Sequence, residues 1–273
     1  MKAKYLIFDL DGTLLDSNLT IRKKTLEIID FARKNKNYFV TIATGRSYGM
    51  ALDYMKEVNP DGYAILSNGN FVFDVKNNKL IATDEPLSLE VKKFSFEYLI
   101  ENQNGFVLFT DNGDYFYTLA DTGWNEFHDF SKRIINLKNL SRDEIWDFIK
   151  KANVYCISMF LNKETVEESK QKFSLFESKG LCKITSAAKR FIDITSGSVS
   201  KYEGFKKMCE LINIDVDSTY YFGDSENDYE MICKIPNSVA MGNACSSVKD
   251  KARYVLDGSH NTDSIYDFLS QKL

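Results

Sequence analysis

A short β-prone apolar run that stops abruptly in small or polar residues recurs along this chain. Tyr5-Leu6-Ile7-Phe8 breaks into Asp9-Leu10-Asp11-Gly12-Thr13, and Tyr38 to Ala43 breaks into Thr44-Gly45-Arg46. Ala64-Ile65-Leu66 meets Ser67-Asn68-Gly69, Tyr220-Tyr221-Phe222 meets Gly223-Asp224, and Val239-Ala240-Met241 meets Gly242-Asn243. Runs of this length with no polar alternation suit strands buried on both faces of a parallel sheet. Helical stretches separate them. Thr20 is placed to cap a helix over 21–34, with Ile21, Leu26, Ile29 and Ala32 on one side. Phe205, Met208, Cys209 and Ile212 form a second stripe after Lys201. Strands alternating with helices at both ends of the chain predict an α/β fold with a doubly wound, mostly parallel, Rossmann-like sheet.

The middle follows another rule. Phe106 to Phe109 and Tyr115 to Thr118 flank Asn112-Gly113, a hairpin signal. Ser141 and Glu144 form a capping box ahead of Ile145, Phe148 and Ile149. A strand over Val154 to Leu161 and a helical stretch over Lys163 to Lys179 follow. Hairpins mixed with helices describe an inserted α+β domain over 84–190, with the doubly wound core built from 1–83 and 191–273. A length of 273 residues accommodates two such domains.

Charge narrows the partners. The 35 basic and 39 acidic residues balance to −4 without a basic block, so nucleic acid and anionic membranes find no electrostatic support. No apolar run approaches the roughly 18 residues of a membrane span, and Met1-Lys2-Ala3-Lys4 opens no signal peptide. Cys156, Cys182, Cys209, Cys233 and Cys245 are odd in number and unpaired in spacing, which predicts reduced thiols in a cytoplasmic protein.

Ligands of open α/β sheets bind beyond the carboxyl ends of the strands. Here those ends carry Asp9, Asp11, Thr44, Gly45, Asn68, Asp224, Asn227 and Asp228, and no histidine. Carboxylates gathered in one place repel unless a cation neutralises them, and an all-oxygen donor set favours Mg2+. The same ion would shield a phosphate dianion from an attacking carboxylate, and a second carboxyl two residues on could shuttle the proton.

These residues resemble the haloacid dehalogenase (HAD) superfamily in its phosphatase form. Asp9-Leu10-Asp11-Gly12-Thr13-Leu14-Leu15 is similar to its first motif, and Thr44-Gly45-Arg46 to its second. Lys201 in Ser198-Val199-Ser200-Lys201 is similar to the third, and Gly223-Asp224-Ser225-Glu226-Asn227-Asp228 to the fourth. Ser67-Asn68-Gly69-Asn70 and Val239 to Ala244 look like features of its Cof-type phosphatases. The resemblance implies Asp9 as nucleophile and Mg2+ ligand, and Asp11 as general acid/base with its backbone carbonyl on the metal. It implies Asp224 as a further ligand, with Asp228 supporting from behind. Thr44, Lys201 and Asn227, with backbone amides near Leu10 and Gly45, would hold the phosphate of a small-molecule ester such as a sugar phosphate, pyridoxal phosphate or FMN. The insert would be a type 2 (C2B-like) cap. No oligomeric state follows from any of this.

Other readings compete. Gly45-Arg46-Ser47-Tyr48-Gly49 fits the G-x-S-x-G elbow of serine hydrolases, with Asp224 or Asp257 and then His260 downstream. No H-G-G-G-like oxyanion segment accompanies it, and it leaves Asp9 and Asp11 unexplained. A calcium loop needs glycine at its sixth position, whereas Gly12 directly follows Asp11. A receiver domain would be far shorter, and a phosphomutase would differ only in the phosphoryl acceptor. Asn243 serves equally well as a turn residue, and Lys201 as an exposed lysine at a helix start. His128 reads as a surface or lining residue of the insert.

Overall fold

The computed structural model describes residues 2–117, 135–188 and 190–273; Thr118 and His128 lie outside them. In chain order, β1 (Lys4–Phe8), α1 (Lys23–Lys36), β2 (Tyr38–Ile42), α2 (Tyr48–Val58), β3 (Tyr63–Leu66), β4 (Phe71–Asp74) and β5 (Lys79–Ala82) come first. The middle holds α3 (Leu89–Glu101), β6 (Gly105–Thr110), β7 (Gly113–Tyr117), β8 (Ile135–Asn136), α4 (Arg142–Lys151), β9 (Val154–Phe160), α5 (Val166–Ser178), β10 (Lys183–Ala188) and β11 (Phe191–Thr195). The chain closes with α6 (Lys201–Leu211), β12 (Tyr220–Gly223), α7 (Tyr229–Lys234), β13 (Asn237–Ala240), α8 (Ser246–Lys249), β14 (Tyr254–Val255) and α9 (Ser264–Lys272).

Two compact units result. The first comprises Met1–Gly45, Ala51–Ile81 and Ser200–Leu273; the second comprises Arg46–Met50 and Ala82–Val199. In the first, a parallel sheet runs β14-β13-β12-β1-β2. A parallel bridge from Ala43 to Ile65 sets β3 beside β2. Tyr5, Leu6, Ile7 and Phe8 are all buried, as a strand covered on both faces demands. Helix α1 buries Thr25, Ile28, Ile29 and Ala32, the i, i+3, i+4, i+7 stripe of an amphipathic helix. Its expected cap is corrected: Arg22 occupies the N-cap without a side-chain bond, while the Thr20 hydroxyl donates to Asp16. Asp16 also accepts the Asn18 and Thr20 N–H groups, forming a local turn that claims Thr20 before the helix begins.

The second unit is a six-stranded sheet, β10-β11-β9-β6-β7-β8, with helices against one face. Phe106, Leu108, Ile157, Met159, Ile192 and Ile194 pack in one apolar core with Val91, Leu99, Ile145, Ile149 and Phe173 from the helices. The hairpin falls at Asp111-Asn112, between Thr110 and its partner Gly113. The Ser141–Glu144 capping box is formed, and an unanticipated one, Thr165 with Glu168, starts α5. Two boundaries differ from expectation. Strand β11, assigned by sequence to the returning core segment, pairs antiparallel with β9 and β10. Phe191-Ile192-Asp193-Ile194-Thr195 reads as a strand in either unit, and only its partners decide. Arg46–Met50, also assigned to the core, groups with the second unit, where the Ser47 hydroxyl and the Gly49 N–H both donate to Asp114.

Candidate active site

Asp9 sits at the end of β1, its N–H donating to the Phe222 carbonyl of β12. The chain then turns at once. Thr13 and Leu14 return their N–H groups to Leu10, and Gly12 adopts φ +79°, where a side chain would be strained. A Cβ at Gly12 would also lie 2.4 Å from an Asp224 carboxylate oxygen. Glycine here lets the loop after β1 close against the residue that ends β12. Asp9 and Leu10 are buried, whereas Asp11 lies on the exposed side of the turn.

Lys201 is the first residue of α6, capped by the Ser200 hydroxyl, which accepts the Glu203 N–H. Close approach of this helix depends on two glycines. A Cβ at Gly69 would meet the Ser200 carbonyl at 2.0 Å, and one at Gly204 would meet Ile65 at 2.6 Å. With α6 seated there, the lysine is fully buried and donates to Asp9 and to Asp228, each at 2.6 Å. The exposed-lysine reading is thereby excluded.

Asp228 is saturated with donors. One carboxylate oxygen takes Lys201 and the Tyr221 hydroxyl, and the other takes the N–H groups of Asp224 and Ser225. Asp224 is clasped differently: Thr13 donates to one oxygen at 3.3 Å and the Asn243 amide to the other at 3.1 Å. Asn227 donates to the Asn68 side chain at 2.9 Å. Asn68 in turn donates its N–H to the Thr44 carbonyl, and a Cβ on Gly45 would lie 3.0 Å from the Asn68 amide. Thr44, Gly45, Asn68 and Asn227 therefore border one turn. Sequence reasoning gave no role to Thr13 or Tyr221 and left Asn243 open between a family feature and a turn residue. Thr13 lies within the first motif, but nothing in the spacing of Tyr221 marks it.

Among the described residues, one carboxylate oxygen each from Asp9, Asp224 and Asp228 lie within 4.8 Å of one another. Burial pushes the Asp9 carboxyl well above its ordinary range; Lys201 opposes this, and Asp228, Asp224 and Asp11 add to it. Burial and then Asp228 push Asp224 up to about 6, again against Lys201. For Lys201, burial alone would lower the pKa, but Asp228 and Asp9 reverse that and hold it raised and charged. Three carboxylates against one ammonium leave an excess of two negative charges, which a divalent cation would match. The donors are oxygens throughout, the preference of Mg2+. Each Asp228 oxygen already accepts two donors, whereas Asp9 has Lys201 on one oxygen and Asp224 has Thr13 and Asn243 on one each, so Asp9 and Asp224 are the side chains suited to ligate it.

The side chains that a serine hydrolase would use are each engaged within their own unit. The Ser47 hydroxyl donates to Asp114, while the His260 imidazole pairs with Ser17 at 3.3 Å. No helix among the described residues is long and apolar enough to cross a membrane.

The family model for haloacid dehalogenase-like hydrolases matches residues 6–269. The phosphatase-like protein MG265 of Mycoplasma genitalium is 27% identical, with 100% of this chain and 99% of that protein aligned. The pyridoxal phosphate phosphatase YbhA of Escherichia coli is 24% identical over the whole of both chains. The solved HAD subclass IIB sugar phosphatase BT4131 superposes with a TM-score of 0.82 at 23% identity, covering 99% of each chain, a likeness of fold. The chain belongs to the haloacid dehalogenase-like hydrolases. Within that family it is a phosphatase of the Cof type.

Proposed function

We propose that this phosphatase hydrolyses small phosphate monoesters with Mg2+, through a phosphoryl group carried on Asp9. The observation that carries this reading is the buried Lys201 ammonium, 2.6 Å from both Asp9 and Asp228. It holds the Asp9 carboxylate in one orientation at the end of β1 and offers positive charge where a phosphoryl group would gather negative charge. Bound beside Asp9 and Asp224, with the Asp11 carbonyl, Mg2+ would shield the phosphate dianion and the attacking carboxylate from each other.

A carboxylate oxygen of Asp9 attacks phosphorus, and the bond from phosphorus to the ester oxygen breaks. Asp11, exposed on its turn, donates a proton to the departing alcohol. It then takes one from water, whose oxygen attacks phosphorus and releases phosphate from Asp9. Thr44, Gly45, Asn227 and the Leu10 amide hold the phosphate. Asp228 keeps Lys201 and the Asp224 backbone in register.

Sugar phosphates are the first substrate class, followed by pyridoxal phosphate and FMN. The sugar-phosphatase fold neighbour and the pyridoxal phosphate phosphatase relative support the first two classes without ranking them. We read the second unit as the type 2 (C2B-like) cap, which in this family chooses the leaving group. Free thiols, with Cys156 and Cys182 buried, suit the reducing cytoplasm.

The test is hydrolysis of p-nitrophenyl phosphate and p-nitrophenyl acetate by the same preparation, with Mg2+ and with EDTA. Phosphate turnover that EDTA abolishes is the expected result. Acetate turnover indifferent to EDTA would support the Ser47 esterase and sink the phosphatase mechanism. A phosphomutase would show turnover that depends on an added alcohol acceptor.

A further inference from the structure

Asn243 makes bonds that a turn residue does not need. Its Nδ2 donates to the Gly12 carbonyl at 2.8 Å and to Asp224 at 3.1 Å, while its Oδ1 accepts the His260 N–H at 2.9 Å. One side chain thus joins the loop after β1, the loop after β12 and the segment after β14. Its backbone is itself anchored. Met241 donates to the Gly223 carbonyl, Gly242 to the Gly258 carbonyl, and Ala244 to the Met241 carbonyl. Close approach of these segments requires Gly242, where a Cβ would stand 2.7 Å from the Gly258 carbonyl oxygen. The amide is therefore delivered by a fixed frame, although the side chain borders solvent.

We infer that Asn243 is a positioning residue that sets the affinity of the site for its divalent cation, an inference that rests on the Mg2+ reading above. A metal-ligating carboxylate must be presented in one orientation, and a hydrogen bond to its other oxygen provides that. Thr13 and Asn243 hold the two Asp224 oxygens. Asn243 alone also grips the Gly12 carbonyl, so it fixes the spacing between the loop that carries Asp9 and Asp11 and the residue facing them. Without it, Asp224 keeps the 3.3 Å bond to Thr13 and a bond from the neighbouring Ser225 hydroxyl, but nothing ties it to the Gly12 carbonyl. A freed Asp224 would turn toward water, away from the geometry the cation needs.

The experiment is titration of Mg2+ alone into the full chain by calorimetry, for wild type, Asn243→Ala and Asn243→Leu. Melting in EDTA and Mg2+-dependent turnover of p-nitrophenyl phosphate are measured alongside. Leucine keeps the branched shape of asparagine without its hydrogen-bonding groups, and with the side chain at the solvent border it reads the same question if the alanine variant fails to fold. The expected result is a loss of Mg2+ affinity of about tenfold or more in both variants, the usual effect of removing a group that orients a metal ligand. Melting in EDTA should be nearly unchanged, and turnover should recover at saturating Mg2+. Affinity within about twofold of wild type would overturn the inference, since an orienting bond is worth more than that. So would lost turnover that saturating Mg2+ does not restore. A wild-type chain that binds no Mg2+ would overturn the proposed function and this inference together. Wild-type binding with unaffected variants would overturn the inference alone.

Discussion

Replacing Lys201 with methionine removes one ammonium from the interior and leaves the volume nearly filled. The lysine is fully buried, and its two partners, Asp9 and Asp228, are 4% and 0% exposed, so no water can take its place without rearrangement. At 2.6 Å and an effective dielectric constant near 20, each contact is a Coulomb attraction of roughly 6 kcal/mol. Burying the three ions costs several kcal/mol apiece, so most of that attraction is offset in the folded protein. Deleting one partner recovers none of the burial cost of the other two. The expected loss of stability is therefore about 3–5 kcal/mol at neutral pH. The stranded carboxylates can escape by taking up protons, and burial already pushes Asp9 upward. A carboxyl whose folded pKa is raised destabilises the fold as pH rises through that value. The deficit of Lys201→Met should accordingly shrink on acidification. Urea unfolding in EDTA at a series of pH values measures both effects, with EDTA present so that no cation substitutes for the ammonium. A deficit below about 1 kcal/mol at neutral pH, or one that does not change with pH, would refute the reasoning, because that is the scale of an exposed pair.

Tyr221→Phe removes a buried phenol that donates to Asp228 at 2.5 Å, and urea unfolding should show a loss of about 1.5–3 kcal/mol, the range for hydrogen bonds to charged groups. Asp193 is 5% exposed and burial pushes its carboxyl up to about 6 from 3.8, with a Ser158 hydrogen bond opposing. The Asp193 contribution to stability should therefore fall by roughly 3 kcal/mol as pH rises through the interval from 3.8 to about 6, and Asp193→Asn should remove that part of the pH dependence. A pH profile of the variant that overlays wild type would contradict this. Gly69→Ala places a methyl 2.0 Å from the Ser200 carbonyl at φ +94°, so α6 must shift and carry Lys201 with it. Turnover should fall by about tenfold or more, as misplacement of a catalytic group does, and unchanged turnover would show that α6 tolerates displacement.

The parallel strands were legible because each apolar run is continuous and ends in the residues that form the site. Asp9, Lys201 and Asp224 stand in motifs that follow a fixed order along nearly the whole chain, and the fold sets Lys201 2.6 Å from Asp9 with an Asp224 oxygen within 4.8 Å of one of Asp9. What sequence could not supply were facts of partnership. Strand β11 looks the same whichever sheet it joins, and its antiparallel pairing with β9 keeps the chain in the second unit through Val199. Thr20 is a good capping residue by type, but Asp16 binds it first. Tyr221 alternates with nothing and carries no motif, so its bond to Asp228 is visible only once β12 and the turn at Glu226–Asp228 are folded. Asn243 fits a turn and a family feature equally well by type, and its bonds to Gly12 and Asp224 are visible only in the fold.

The central claim is that the phosphoryl group passes through Asp9. Its most direct test is to mix the protein with radiolabelled acetyl phosphate and Mg2+, quench in acid during turnover, and map the label by proteolysis. The account predicts label on the peptide carrying Asp9 in wild type, and neither label nor phosphate release in Asp9→Asn. Steady phosphate release without label on that peptide, retained by Asp9→Asn, would contradict it and require water to attack the ester directly.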